Sequence, residues 1–141
     1  MPSNELKIIG SWDYQAQLEQ NAGENIKFLG RKQGEQLVEI IQGSLGLIFP
    51  GEEDFWIVPI EVMAAGKPVF ALSKWGLLET VLPWKTGEFF DDPQGSDFVE
   101  KFKRFHTQVW QEKYWVEDCQ KQAQRFDTQV FIDKLHAYIL Q

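Results

Sequence analysis

Gly46-Leu47-Ile48-Phe49-Pro50-Gly51, and then Pro59-Ile60-Glu61-Val62-Met63-Ala64-Ala65-Gly66-Lys67-Pro68-Val69-Phe70-Ala71-Leu72, spell a strand, a helix and a second strand. Each apolar run is short and lacks in/out alternation, as expected for parallel strands buried on both faces. Pro59 suits the first helical turn, where its missing N–H removes a group that would lack a partner anyway. Gly66 suits the left-handed stop position, and Pro68 prevents the helix from continuing. A strand joined to its neighbour by a crossover helix is the unit of an α/β sheet.

The same alternation extends in both directions. Leu6–Ile9 and Ile26–Leu29 are strand-type runs closed by Gly10 and Gly30, and Gly87–Phe90 precedes Asp91-Asp92-Pro93. Helical patterns cover Tyr14–Gln20, Gln33–Gln42, Pro59–Ala65 and Leu77–Leu82. The first ~90 residues therefore read βαβαβαβαβ, a doubly wound, Rossmann-like parallel sheet of about five strands. From Gln94 onward only helical periodicity remains, carried by Phe98, Phe102, Phe105 and Val109, then Val130, Leu135 and Tyr138. Two or three C-terminal helices are expected to cover the sheet. No linker or repeat interrupts residues 1–141, so a single domain is expected.

Composition narrows the function. The chain has 141 residues, with 43% hydrophobic and 25% charged, close to the globular average. Fourteen basic residues stand against 21 acidic ones, a net charge of −7, which disfavours a phosphate-backbone partner. The one dense basic group, Lys101, Lys103 and Arg104, is interleaved with Phe102 and Phe105 and reads as the wet face of an amphipathic helix. No apolar run approaches a membrane span, and the N-terminus lacks the pattern of a secretory signal. Cys119 is the sole cysteine, and it has no His at nucleophile-pair spacing. A soluble, cytoplasmic protein with an inert thiol is expected, without nucleic-acid or integral-membrane partners.

Glu61 falls in the first turn of the helix after the third strand, and Glu53 lies eight residues earlier in the intervening loop. Ligands of open α/β sheets bind outside the carboxyl ends of the strands, so topology puts both carboxylates at the ligand edge. Each also has a plainer reading. Glu61 would complement the helix macrodipole, Glu52-Glu53-Asp54 could be a solvated acidic loop, and Gly76 a simple turn residue. Asp91-Asp92-Pro93 reads as strand termination and helix capping, and His106 and His136 as structural.

Gly51-Glu52-Glu53-Asp54-Phe55-Trp56-Ile57-Val58-Pro59-Ile60-Glu61-Val62-Met63-Ala64-Ala65-Gly66-Lys67-Pro68-Val69 resembles the E-x7-E signature region of family-4 retaining glycosyltransferases, in the donor-binding half of their GT-B fold. Three further pieces are similar in order and spacing: Phe28-Leu29-Gly30-Arg31, Gly76-Leu77-Leu78-Glu79-Thr80-Val81, and Thr86-Gly87-Glu88-Phe89-Phe90. The resemblance implies a nucleotide-sugar donor site that needs neither metal nor other cofactor. It implies that Glu53 acts at the donor sugar, Glu61 binds the ribose, and Asp54, Phe55, Trp56 and Ile57 bring backbone close to sugar and phosphate. Gly76 and Leu77 would meet the diphosphate, and Arg31 the nucleobase. The GEEDF variant is most similar to mannosyltransferase-like members, which favours GDP-mannose.

The chain also departs from the family. Trp56 stands where glycine is usual and Val62 where alanine is usual. The residues here match neither the strand that carries the family's diphosphate-binding Arg and Lys nor its acceptor-binding half. The family's strand order is 3-2-1-4-5-6; without its first strand, closure of the rest gives 2-1-3-4-5, the flavodoxin-like order. The expectation is a partial donor domain, complemented by a separate acceptor-binding half and binding nucleotide only weakly alone. The alternatives are a non-catalytic remnant or a flavodoxin-like binding module.

Overall fold

The computed structural model describes residues 4–51, 57–114 and 116–139. The chain divides into two compact units, residues 1–40 and 41–141. The first contains β1 (Leu6–Ile9), α1 (Gln15–Asn21), β2 (Ile26–Gly30) and most of α2 (Gly34–Gln42). β1 and β2 pair in parallel, Leu6 opposite Ile26 and Ile8 opposite Phe28, with an irregularity between Ile8 and Ile9. No residue of α1 is buried.

The second unit follows as β3 (Leu47–Phe49), α3 (Ile57–Ala64), β4 (Val69–Leu72), α4 (Leu77–Thr80), β5 (Gly87–Phe90), α5 (Phe98–Trp110), α6 (Val116–Gln124) and α7 (Thr128–Ile139). Its parallel sheet has the order β3-β4-β5. β4 is central and buried at all four positions, which explains why its sequence shows no alternation. Phe70 and Leu72 share one face with Phe90 of β5, and Phe98, Phe102 and Phe105 of α5 close over them. The Phe70 and Phe105 rings stack with centroids 5.2 Å apart. Each fully buried side chain of this size contributes about 1.5–3 kcal/mol, so the aromatic cluster is the main stabiliser of the unit. Alternation sends Val69 and Ala71 to the opposite face, the side of α3, whose Pro59, Val62 and Met63 are buried.

Gly87 is set by packing. It pairs with Val69 across the ladder, and a Cβ there would overlap the Val69 carbonyl. Gly66 is set by backbone geometry: its φ is 76°, its N–H donates to Met63 O at 2.8 Å, and Lys67 N–H donates to Val62 O at 3.1 Å. Those two bonds are the Schellman pattern, so α3 stops where the sequence places its end.

Three expectations are corrected. Both expected sets of ladders form, 2-1 and 3-4-5, but as one sheet in each unit rather than as a single five-stranded sheet. The C-terminal helices do not all cover the sheet. α5 does, α6 packs on α3, and α7 buries no residue, leaving Phe131, Leu135 and Tyr138 exposed. Finally, Asp92 does not cap a helix. Its Oδ1 accepts from Gln94 N–H at 2.8 Å in a local turn, while Asp97, at the start of α5, gives its carboxylate to Lys101 at 2.9 Å.

Candidate functional site

The carboxyl edge of the β3-β4-β5 sheet is formed by Pro50-Gly51 after β3, Ser73–Gly76 after β4 and Asp91-Asp92 after β5. α3 is described from Ile57, and Pro59 is its third described residue. Glu61 is consequently the fifth, and the first described turn contains no acidic side chain. The macrodipole weakens beyond the first turn, so helix stabilisation explains Glu61 poorly. The side chain is exposed and makes no hydrogen bond or ion pair among the described residues.

After β4 the chain turns through Trp75, at φ 52°, while Gly76 is right-handed at φ −59°. The glycine is therefore not the left-handed residue of this turn. The exposed Trp75 takes that conformation, which is a genuine outlier for a bulky residue. Sequence reasoning overlooked Trp75, because aromatic residues give no left-handed signal. Among the described residues, the N–H groups of Trp75, Gly76 and Leu77 donate to no backbone carbonyl. Leu77 has its side chain buried, so only its backbone can face a ligand. α4 is a single turn of four residues, held by a distant partner: Gln122 of α6 donates to Thr80 O at 2.9 Å and Glu79 O at 3.3 Å.

Arg31 is exposed just beyond β2 in the first unit, where Gly30, at φ 66°, turns the chain. Ile57 opens α3 and is exposed, whereas Glu53, Asp54, Phe55 and Trp56 lie outside the described residues. Along the chain, Gly76 and Leu77 follow the end of β4, Glu61 lies on the helix that follows β3, and Arg31 follows the end of β2 in the first unit.

The remaining reactive groups are accounted for by packing. Cys119 is fully buried, and burial, helped by the nearby Asp118, pushes its thiol up to about 11, so it is protonated and a poor nucleophile. His106 Nε2 accepts from the Trp110 indole N–H at 2.9 Å along α5. No helix among the described residues is long and apolar enough to cross a membrane.

The family described as Glycosyl transferases group 1 matches residues 2–124. This chain belongs to that family. Among curated relatives, alpha-1,3/1,6-mannosyltransferase ALG2 of Mus musculus is 28% identical over 117 residues, covering 82% of this chain and 28% of that protein. Its namesake in Dictyostelium discoideum is 33% identical over 91 residues, covering 64% of this chain and 21% of that protein. The chain thus spans about a quarter of the length of these relatives. Two solved structures share the fold. Anabaena Alr3699/HepE, in complex with UDP, superposes with a TM-score of 0.77 at 22% identity, covering 99% of this chain and 41% of that one. Sucrose-phosphate synthase from Thermosynechococcus elongatus gives 0.74 at 21% identity, covering 96% and 38%. Nothing in these likenesses favours a flavodoxin-like module.

Proposed function

We propose that this chain is the nucleotide-sugar donor-binding part of a retaining glycosyltransferase, with GDP-mannose as donor, and that an acceptor-binding half completes the transfer. The observation that carries the reading is Glu61 in a group 1 chain: an exposed carboxylate, unpartnered among the described residues, on the helix that follows β3. An ionised carboxylate accepts from both hydroxyls of a ribose diol, and charge-assisted bonds are roughly twice as strong as neutral ones. The uncommitted N–H groups of Gly76 and Leu77 suit a diphosphate, since backbone donors add favourable dipoles without desolvating a cation. By the family resemblance, this reading assigns Glu53 to the sugar hydroxyls, Asp54, Phe55, Trp56 and Ile57 to the sugar and phosphate, and Arg31 to the nucleobase. The mannosyltransferase names of the two curated relatives support mannose, and the UDP in a neighbour of the same fold supports a nucleotide ligand.

The test is thermal unfolding with GDP-mannose, GDP and UDP on wild type, Glu61→Ala and Trp56→Gly. A ligand at ~100 times its Kd stabilises by about 2.7 kcal/mol and moves the midpoint by several degrees. Glu61→Ala forfeits bonds of about 1.5–3 kcal/mol each, so nucleotide affinity falls about tenfold or more. On this reading Trp56→Gly, which restores the glycine usual in the family, strengthens GDP-mannose relative to GDP. An unchanged nucleotide response in Glu61→Ala overturns the assignment.

A further inference from the structure

The opposite, amino edge of the β3-β4-β5 sheet holds a concavity. β5 is entered there through the turn at Trp84, and α5, running back along the sheet, delivers its C-terminal end to the same edge. Between them lies a cleft of about 560 Å³ lined by Trp84, Gln108, Gln111, Glu112, Lys113 and Tyr114. Two of these, Trp84 at φ 66° and Glu112 at φ 51°, have left-handed backbones, the only such non-glycine residues among those described besides Trp75. Strain of this kind persists only where the surroundings impose it. At Trp84 they do: Trp84 N–H donates to Gly87 O at 3.0 Å, Thr86 N–H to Leu82 O at 2.9 Å, and the buried Thr86 hydroxyl accepts from Leu82 N–H at 2.8 Å.

The locked turn leaves a Trp ring 58% exposed. The Arg104 guanidinium lies over one face of the ring, 4.8 Å from its centroid, and is itself paired with Glu88, so that cation is already committed and only the other face is open to a ligand. The polar groups around the ring are oriented too. Tyr114 donates its hydroxyl to Gln108 Oε1 at 2.8 Å, which turns the amide's NH₂, uncommitted among the described residues, to other partners. Glu112 and Lys113 cancel in charge, so the cleft offers an aromatic face and amides rather than a cationic field for phosphate.

We propose that this cleft is a binding site for a neutral saccharide, with the C–H face of one pyranose on the face of Trp84 that Arg104 does not cover and its hydroxyls on Gln108 and Gln111. A pyranose presents an apolar face and an equatorial rim of hydroxyls, which matches a flat ring edged by amide donors and acceptors. The site is independent of the nucleotide reading, because it stands on the other edge of the sheet.

Indole N–H signals of the ¹⁵N-labelled full chain, titrated with mannotriose, maltotriose and, separately, UDP, test the proposal. The Trp84 signal, identified by its loss in Trp84→Gly, shifts with at least one of the two saccharides at a Kd of about 1 mM and not with UDP. Trp84→Gly keeps the fold, since glycine adopts φ 66° without strain, and it abolishes the saccharide response of the other signals. Gln111→Ala weakens binding about three- to tenfold. The site is refuted if neither saccharide moves the Trp84 signal at about 50 mM, a level that would half-saturate even very weak binding. It is also refuted if Trp84→Gly still binds as wild type does, or, should that variant not fold, if Gln111→Ala does. Failure of the donor site is read separately, from the GDP and GDP-mannose response of Glu61→Ala in thermal unfolding.

Discussion

Glu88 Oε2 stands 3.6 Å from Arg104 Nη2, while the other oxygen of the same carboxylate, Oε1, is buried with no hydrogen bond. The side chain is only 6% exposed, and its partner is half-exposed on α5. Desolvation by burial pushes the Glu88 carboxyl above its ordinary range, and Arg104 and Lys101 offset only part of that. The pair thus joins the last strand to α5 at a cost in charge burial.

A carboxyl whose pKa is higher folded than unfolded is favoured by folding in its protonated form. Its contribution is complete below the ordinary carboxyl range and lost as pH rises through the folded value. Glu88→Gln is therefore expected to be more stable than wild type at neutral pH by about 1 kcal/mol, with the advantage vanishing near pH ~4. Arg104→Met, which leaves the carboxylate unpaired, costs about 1–3 kcal/mol at neutral pH and less in acid. Urea midpoints of the three proteins at the two pH values check both signs; an advantage for Glu88→Gln that grows in acid contradicts them.

Gly66→Ala meets two obstacles together. Alanine is strained at φ 76°, and its Cβ would stand 2.5 Å from Val116 Cγ1, which joins α3 to α6. The expected loss is about 2–4 kcal/mol, the sum of a backbone penalty and overpacking. It is read as a lower denaturant midpoint with unchanged slope. Adding Val116→Ala should recover the steric share and leave the backbone share.

Gln122→Leu removes the donor to the Glu79 and Thr80 carbonyls at the end of α4. Leaving a buried carbonyl unpaired costs about 1–3 kcal/mol. Because α4 follows directly from the Trp75–Leu77 turn, nucleotide affinity should fall as well, although Gln122 is distant in sequence from every proposed ligand contact. Isothermal titration with GDP on folded Gln122→Leu measures this; wild-type affinity would show that α6 does not position the turn.

Much of the architecture was legible locally. The strands at Leu6–Ile9, Val69–Leu72 and Gly87–Phe90 coincide with their apolar runs, and the Gly66 stop follows from a conformation that few residues besides glycine adopt easily. Family membership was legible too, because four short motifs in order leave few alternatives, and the match to residues 2–124 agrees. These features depend on neighbours within a few residues, where sequence and conformation are tightly coupled.

What the tertiary structure decided has the opposite character. Nothing near Trp75 or Trp84 announces a left-handed backbone; each lies in a turn whose hydrogen bonds outweigh its local preference. The bond from Gln122 to Thr80 spans 42 residues, and the pairing of Glu88 with Arg104 joins a strand to a helix face. Hydrophobic periodicity marked Val130, Leu135 and Tyr138 as a face but could not say whether anything covers it, and α7 buries no residue. Periodicity records which side chains avoid water. Which surfaces meet, and which polar atoms are left to bind a ligand, depends on non-local contacts that form only in the folded chain.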